Sequence, residues 1–233
     1  MYNRDYLSNQ SSQYTQESSQ VQLMSFLKAT YQLFAGSLLA ATAGAYIGLG
    51  IVSILMGPMK WVLFAVELAL IFFVIPRVKH TPGVNLAVLF AFTFITGLTI
   101  APLLASIFAM PSGASIVGQA FLMTSVAFGA ISMFAMTTKR DFSSMGKFLF
   151  IAVIIIIVAG ISNIFIQSSM MQLAIASVGA LVFSAFILYD TQNIIRGGYD
   201  SPIEASLALY LDFFNLFVSL LQILGIMNSG DKE

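Results

Sequence analysis

The chain has 233 residues with ten basic and ten acidic side chains, so it is net neutral, only 9% charged, 58% hydrophobic, and has a mean hydropathy of +0.91. A water-soluble domain carries about 25% charged residues, so this composition excludes a soluble globule and a disordered chain, while zero net charge without a basic patch excludes a nucleic-acid binder. The absence of cysteine removes disulfides, thiolate metal sites and cysteine catalysis, and a single histidine, His80, makes a histidine-ligated zinc site implausible.

What remains is an integral membrane protein, and its charges punctuate the spans. Residues 1–26 are polar, rich in Ser, Gln, Asn and Tyr, and lack the basic start and apolar run of a signal peptide, so they are expected to form a disordered cytoplasmic tail. Ala29 to Met59 is 31 uncharged residues, room for one span. Trp61 to Pro76 is 16 residues with one acid, Glu67, and is the shortest candidate. The 58 uncharged residues between His80 and Lys139 are divided by a turn signal at Met110-Pro111-Ser112-Gly113. The 42 between Lys147 and Asp190 are divided at Gln167-Ser168-Ser169. Ala205 to Gly230 holds 26 residues with one acid, Asp212. At roughly 20 apolar residues per crossing, residues 27–228 are expected to form seven transmembrane helices.

Orientation follows from Lys and Arg. Seven spans put Arg4, Lys28, Arg77, Lys79, Lys139, Arg140, Lys147 and Arg196 on the N-terminal side, against Lys60 and Lys232 on the other. The expectation is a multi-pass protein of the inner (plasma) membrane with a cytoplasmic N-terminus and an external C-terminus.

Within the spans, Gly36, Ala40, Gly44 and Gly48 form a small-residue stripe suited to close helix packing. Pro102 is expected to kink the third span, with the nearby Thr96 and Thr99 hydroxyls meeting freed carbonyls. The three intramembrane acids, Glu67, Asp190 and Asp212, are costly in lipid and must face the bundle interior, pair or protonate. Counted from the nearest charged end, Asp212 lies about 12 Å deep, Glu67 about 15 Å and Asp190 about 9 Å, so all three are expected to meet in the cytoplasmic half. Asp212, Asn215, Ser219 and Gln222 follow at helical spacing, and Ser177, Ser184 and Thr191 recur every seven residues in the sixth span. A last helix with one polar stripe is best placed at the bundle centre, lining a wet path. Two carboxylates there cannot both ionise cheaply, so their protons leave in steps that belong to the pair.

Four segments carry a resemblance: Phe92-Thr93-Phe94-Ile95-Thr96-Gly97-Leu98-Thr99, Thr137-Thr138-Lys139-Arg140-Asp141-Phe142, Leu188-Tyr189-Asp190-Thr191-Gln192, and Leu209 to Phe217. In this order they resemble the Bax inhibitor-1 family, in its bacterial branch, over residues 25–228. The resemblance implies six helices around a central seventh and a pH-sensitive calcium leak governed by an aspartate pair, here Asp190 and Asp212, a weak and transient calcium site. It also implies a basic residue at the end of the second span as counter-ion, for which Arg77 is the nearest candidate. The second-span glutamate, Glu67, faces a basic residue late in the seventh span in some relatives. Gln222 stands there here, so Glu67 is expected to be neutral or only hydrogen-bonded. Calcium enters as the permeant ion, and no cofactor is expected.

Two other classes compete. An intramembrane aspartyl protease would share Tyr189-Asp190, but Leu209, Tyr210 and Leu211 replace the Gly-x-Gly expected before its second aspartate, and its Pro-Ala-Leu element is missing. No enzyme is therefore expected. The resemblance also implies, for some relatives, an interaction protein that acts on a membrane-bound protease or a survival pathway. A retinal protein is excluded because Ala205 to Gly230 contains no lysine.

Overall fold

The computed structural model describes the backbone of residues 3–229 and the side chains of residues 20–229. All regular structure among the described residues is helical: α1 (Asn3–Gly50), α2 (Val52–Leu55), α3 (Met59–Ala69), a π-helical turn (Leu70–Val74), α4 (Ile75–Val78), α5 (Val84–Phe108), α6 (Gly113–Thr137), α7 (Met145–Ile166), α8 (Ser169–Ile195) and α9 (Pro202–Ser229). Among the described residues, seven helical segments are long and apolar enough to cross a membrane, with Gln20–Gly50 as the crossing part of α1 and Met59–Val78 as the second. The backbone of α1 is helical from Asn3, ahead of its crossing part. Within the expected tail over 1–26, residues 1 and 2 and the side chains of 3–19 lie outside the described residues.

The second span reaches crossing length by running helically through Pro76 to Val78. Pro76 has no N–H to offer and its ring crowds the preceding turn. The π-helical turn that ends at Val74 absorbs this locally.

The stripe on α1 does pack. A Cβ built on Gly44 would lie 2.0 Å from the Phe94 carbonyl oxygen, and one on Gly97 would lie 2.0 Å from that of Ala41. Backbone thus meets backbone along α1 and α5, which glycine alone permits at this distance. Pro102 lies inside an unbroken α5. The neighbouring hydroxyls are committed elsewhere than expected: Thr96 to the Thr93 carbonyl and the Tyr210 hydroxyl, Thr99 to the Ile95 carbonyl and Glu67.

The last helix, α9, is the most enclosed span and packs directly against α1, α5, α6 and α8. The second span packs chiefly on α5, and α7 on α8. An aromatic cluster locks α9 in place: Phe34 stacks on Phe128 at 4.9 Å, and Phe213 meets their edges at 5.8 and 5.6 Å. Such pairs add about 0.5–1.5 kcal/mol each beyond area burial.

The charged loops gather at one end. Lys79, after α4, pairs with Glu204 (3.0 Å) and Asp200 (3.5 Å). Arg196 pairs with Asp141, and the Gln192 amide bridges the Arg140 carbonyl and the Phe142 N–H. Two helices separate each of these loops from the next, so all three share one face, and the second segment counts as a crossing by its length and apolar composition.

Candidate functional site

The carboxyl pair is set by the way α8 turns into α9. Gly197, with φ +72°, adopts a left-handed conformation that favours glycine, and the Gly198 N–H caps the Asn193 carbonyl at 2.8 Å. The reversal folds Tyr199 back over α8, where its hydroxyl donates to Asp190 Oδ1 at 2.7 Å. Burial, and then the charge of Asp190, push the Tyr199 phenol well above its ordinary range, so it stays a donor. Asp190 and Asp212 are 6% and 4% exposed, and their carboxyls lie within interaction distance of each other. Asp212 Oδ2 is buried without a hydrogen-bond partner.

Both aspartates line a cavity of about 550 Å³ between α7, α8, α9 and the second span. The polar stripe of α9 lines it throughout: Asp212, Asn215, Ser219 and Gln222 all face it. Five of the seven expected site residues therefore share one space. Asn215 Nδ2 donates to the Leu211 carbonyl (2.8 Å), and Gln222 Oε1 accepts from Gln172 Nε2 (2.8 Å). Gly179 keeps α8 close to the stripe, since a Cβ there would lie 2.8 Å from Ser219 Oγ.

The other two lie apart from that cavity. Glu67 is half-buried at the seam with α5 and accepts a 2.6 Å bond from the Thr99 hydroxyl. It has the hydrogen-bonded state expected when no cation faces it. Arg77, the expected counter-ion, is exposed, and its guanidinium donates to the Phe73 carbonyl. The reason is local: the guanidinium folds back one turn onto its own helix and is held by the Phe73 carbonyl, away from the carboxyl pair. The Ser/Thr row of α8 also departs from expectation. Ser177 is exposed and bonds the Leu173 carbonyl, while Thr191 faces Ser132 on α6 at 3.3 Å. The cavity face of α8 is instead Gln172, Ala176, Gly179, Phe183 and Asp190.

Sequence reasoning missed Tyr199 and the amide network of Gln172 and Asn163. Tyr199 lies in a loop, where helical spacing carries no signal, and the other two are single polar residues in apolar helices. Among the described residues there is no cluster of three or more His, Cys, Asp or Glu side chains suited to a resident metal.

The family model described as "Inhibitor of apoptosis-promoting Bax1" matches residues 23–229, nearly the whole chain. The chain belongs to the Bax inhibitor-1 family. A protein of Campylobacter jejuni is 52% identical over 232 residues, covering 98% of this chain and 99% of the relative. A membrane protein of Vibrio cholerae is 42% identical over 88% of this chain and 91% of its own length. A Golgi anti-apoptotic protein of vaccinia virus is 38% identical over 64% of this chain and 62% of its own. As a Bax inhibitor-1 family member with seven apolar helices, the chain is a multi-pass membrane protein.

Proposed function

We propose that the protein is a non-enzymatic, pH-sensitive cation leak, with calcium as the permeant ion and the Asp190–Asp212 pair as its gate. The observation that carries this reading is a buried carboxyl pair from neighbouring helices opening onto a cavity lined by one polar stripe, with Asp212 Oδ2 free of protein partners. With one proton shared, the carboxyls bond each other and hold α8 against α9. Without it, two like charges repel in a poorly solvated place, admit water and attract a cation. Calcium prefers six to eight oxygen ligands, so a pair of aspartates leaves most of its shell to water. That makes a weak, fast-exchanging site, which suits permeation. Under this reading Tyr199, rather than Arg77, is the group that steadies the pair.

The proposed setting is the inner membrane with the Lys79, Arg140 and Arg196 loops in the cytoplasm, following the excess of basic residues on that face. The chain has no cysteine, so Arg140→Cys should label from the cytoplasmic side only. A second reading, a membrane interaction partner that modulates a membrane-bound protease or a survival pathway, is favoured by the name of the vaccinia relative. Calcium flux into proteoliposomes of purified protein separates the two. Protein-dependent flux across a pH series supports the leak, and vesicles as tight as protein-free controls at every pH refute it.

A further inference from the structure

Gln172 of α8 and Gln222 of α9 meet ten residues beyond Asp212, roughly 15 Å along the helix. Gln172 Nε2 donates to Gln222 Oε1 at 2.8 Å, and Asn163 Nδ2 of α7 donates to Gln172 Oε1 at 2.9 Å. Asn163 Oδ1 in turn accepts the Ser168 N–H at 3.0 Å, inside the turn where Gln167 takes the left-handed conformation that ends α7. Three side-chain amides from three helices therefore form one chain anchored to backbone.

The two glutamines also stand in the walls of two cavities. One is the 550 Å³ space that holds the carboxyl pair. The other, about 230 Å³, is lined by Ser106, Ile107, Met110 and Ser229 and continues to the membrane face at which α9 ends. Asp212 to Ser229 covers roughly 25 Å of helix, close to the hydrocarbon thickness of about 30 Å. Only the amide pair lies on both.

We propose that Gln172 and Gln222 form a second closure of the path, a neutral partition between the two cavities held shut by the amide chain from Asn163. It rests on the leak reading for the identity of the ion, whereas the partition itself does not. Separation of the glutamines breaks one side-chain hydrogen bond and joins the cavities. It also frees the Gln222 amide oxygen to face a passing cation, supplying a ligand without the fixed charge that would trap it.

External thiol labelling tests this. In the otherwise cysteine-free chain, Ser219→Cys places a reporter in the inner cavity, beyond the partition. A charged, membrane-impermeant thiol reagent is applied to proteoliposomes from the face at which α9 ends. With both glutamines present, labelling is slow. In the Gln222→Ala and Gln172→Ala backgrounds it accelerates by about tenfold or more, each tenfold corresponding to roughly 1.4 kcal/mol of opening free energy. Gln222→Met, which keeps the side-chain length, replaces either variant that fails to fold. Rapid labelling with both glutamines intact, or equal rates in all folded backgrounds, overturns the partition. The label reads access whether or not ions flow, so slow wild-type and fast variant labelling without calcium flux would refute the leak and leave the partition standing.

Discussion

Tyr199→Phe removes one oxygen and leaves the aromatic ring over Asp190, so it isolates the 2.7 Å hydrogen bond from phenol to carboxyl. The phenol donates, and it favours the form of Asp190 that has lost its proton. A hydrogen bond to a charged group contributes about 1.5–3 kcal/mol. At 1.36 kcal/mol per pH unit, its loss displaces the proton equilibrium of the pair by roughly one to two units. Whichever direction flux takes with pH, the half-maximal point of the profile therefore moves to higher pH by about that amount. The assay is calcium flux in proteoliposomes, wild type against Tyr199→Phe, with the thermal melt as a control for folding. A profile displaced by less than about half a unit, with the variant folded, would show that Tyr199 does not act on the gate.

Other outcomes follow from the same geometry. Gly44→Val drives a side chain into the Phe94 carbonyl, 2.0 Å from the new Cβ, and should cost about 3 kcal/mol or more by overpacking. A melting temperature in detergent equal to that of wild type would contradict the backbone contact between α1 and α5. Glu67→Gln keeps a partner for the Thr99 hydroxyl and lies off the main cavity, so it should fold and change flux less than about twofold; a large loss with intact folding would place its charge on the path. The Ser143 N–H, the Ser143 hydroxyl and the Arg196 guanidinium hold the Asp141 carboxyl down to about 2. A carboxyl lowered on folding stabilises above its ordinary value of about 3.9 and loses that contribution only as pH falls through the folded value. Hydrogen-exchange protection of the Ser143 N–H, which donates to Asp141 Oδ1 at 2.8 Å, should hold from neutral pH to about 4 once intrinsic rates are corrected, and Asp141→Ala should lose it throughout; protection lost near pH 5 would contradict the clamp.

The fold was legible because charge is so scarce here: in a bilayer each charged residue has to sit at an end or find a partner, and that constraint marks the spans. The stripe from Asp212 to Gln222 was equally legible, since an apolar helix tolerates four polar residues on one face only if that face is enclosed. Other features depended on backbone events that spacing does not encode. Arg77 is diverted to the Phe73 carbonyl of its own helix, and Tyr199 reaches Asp190 only because Gly197 turns the chain back. The Ser/Thr row on α8 misled because a small hydroxyl can satisfy itself on its own helix, as Ser177 does with the Leu173 carbonyl. An aspartate has no such exit. The motif segments make the same point: Thr191, Gln192 and Asp190 are adjacent in sequence, yet they serve the α6 contact, the loop clamp and the cavity respectively.

The central claim is that Asp190 and Asp212 titrate as one unit and set the gate. Its most direct test is calcium flux against pH in proteoliposomes carrying wild type, Asp190→Asn, Asp212→Asn or both. Either single replacement removes the shared proton equilibrium, so both single variants should lose the pH dependence, and the double variant should behave like either one. If both folded single variants keep the wild-type pH profile, the pair is structural and the gate lies elsewhere.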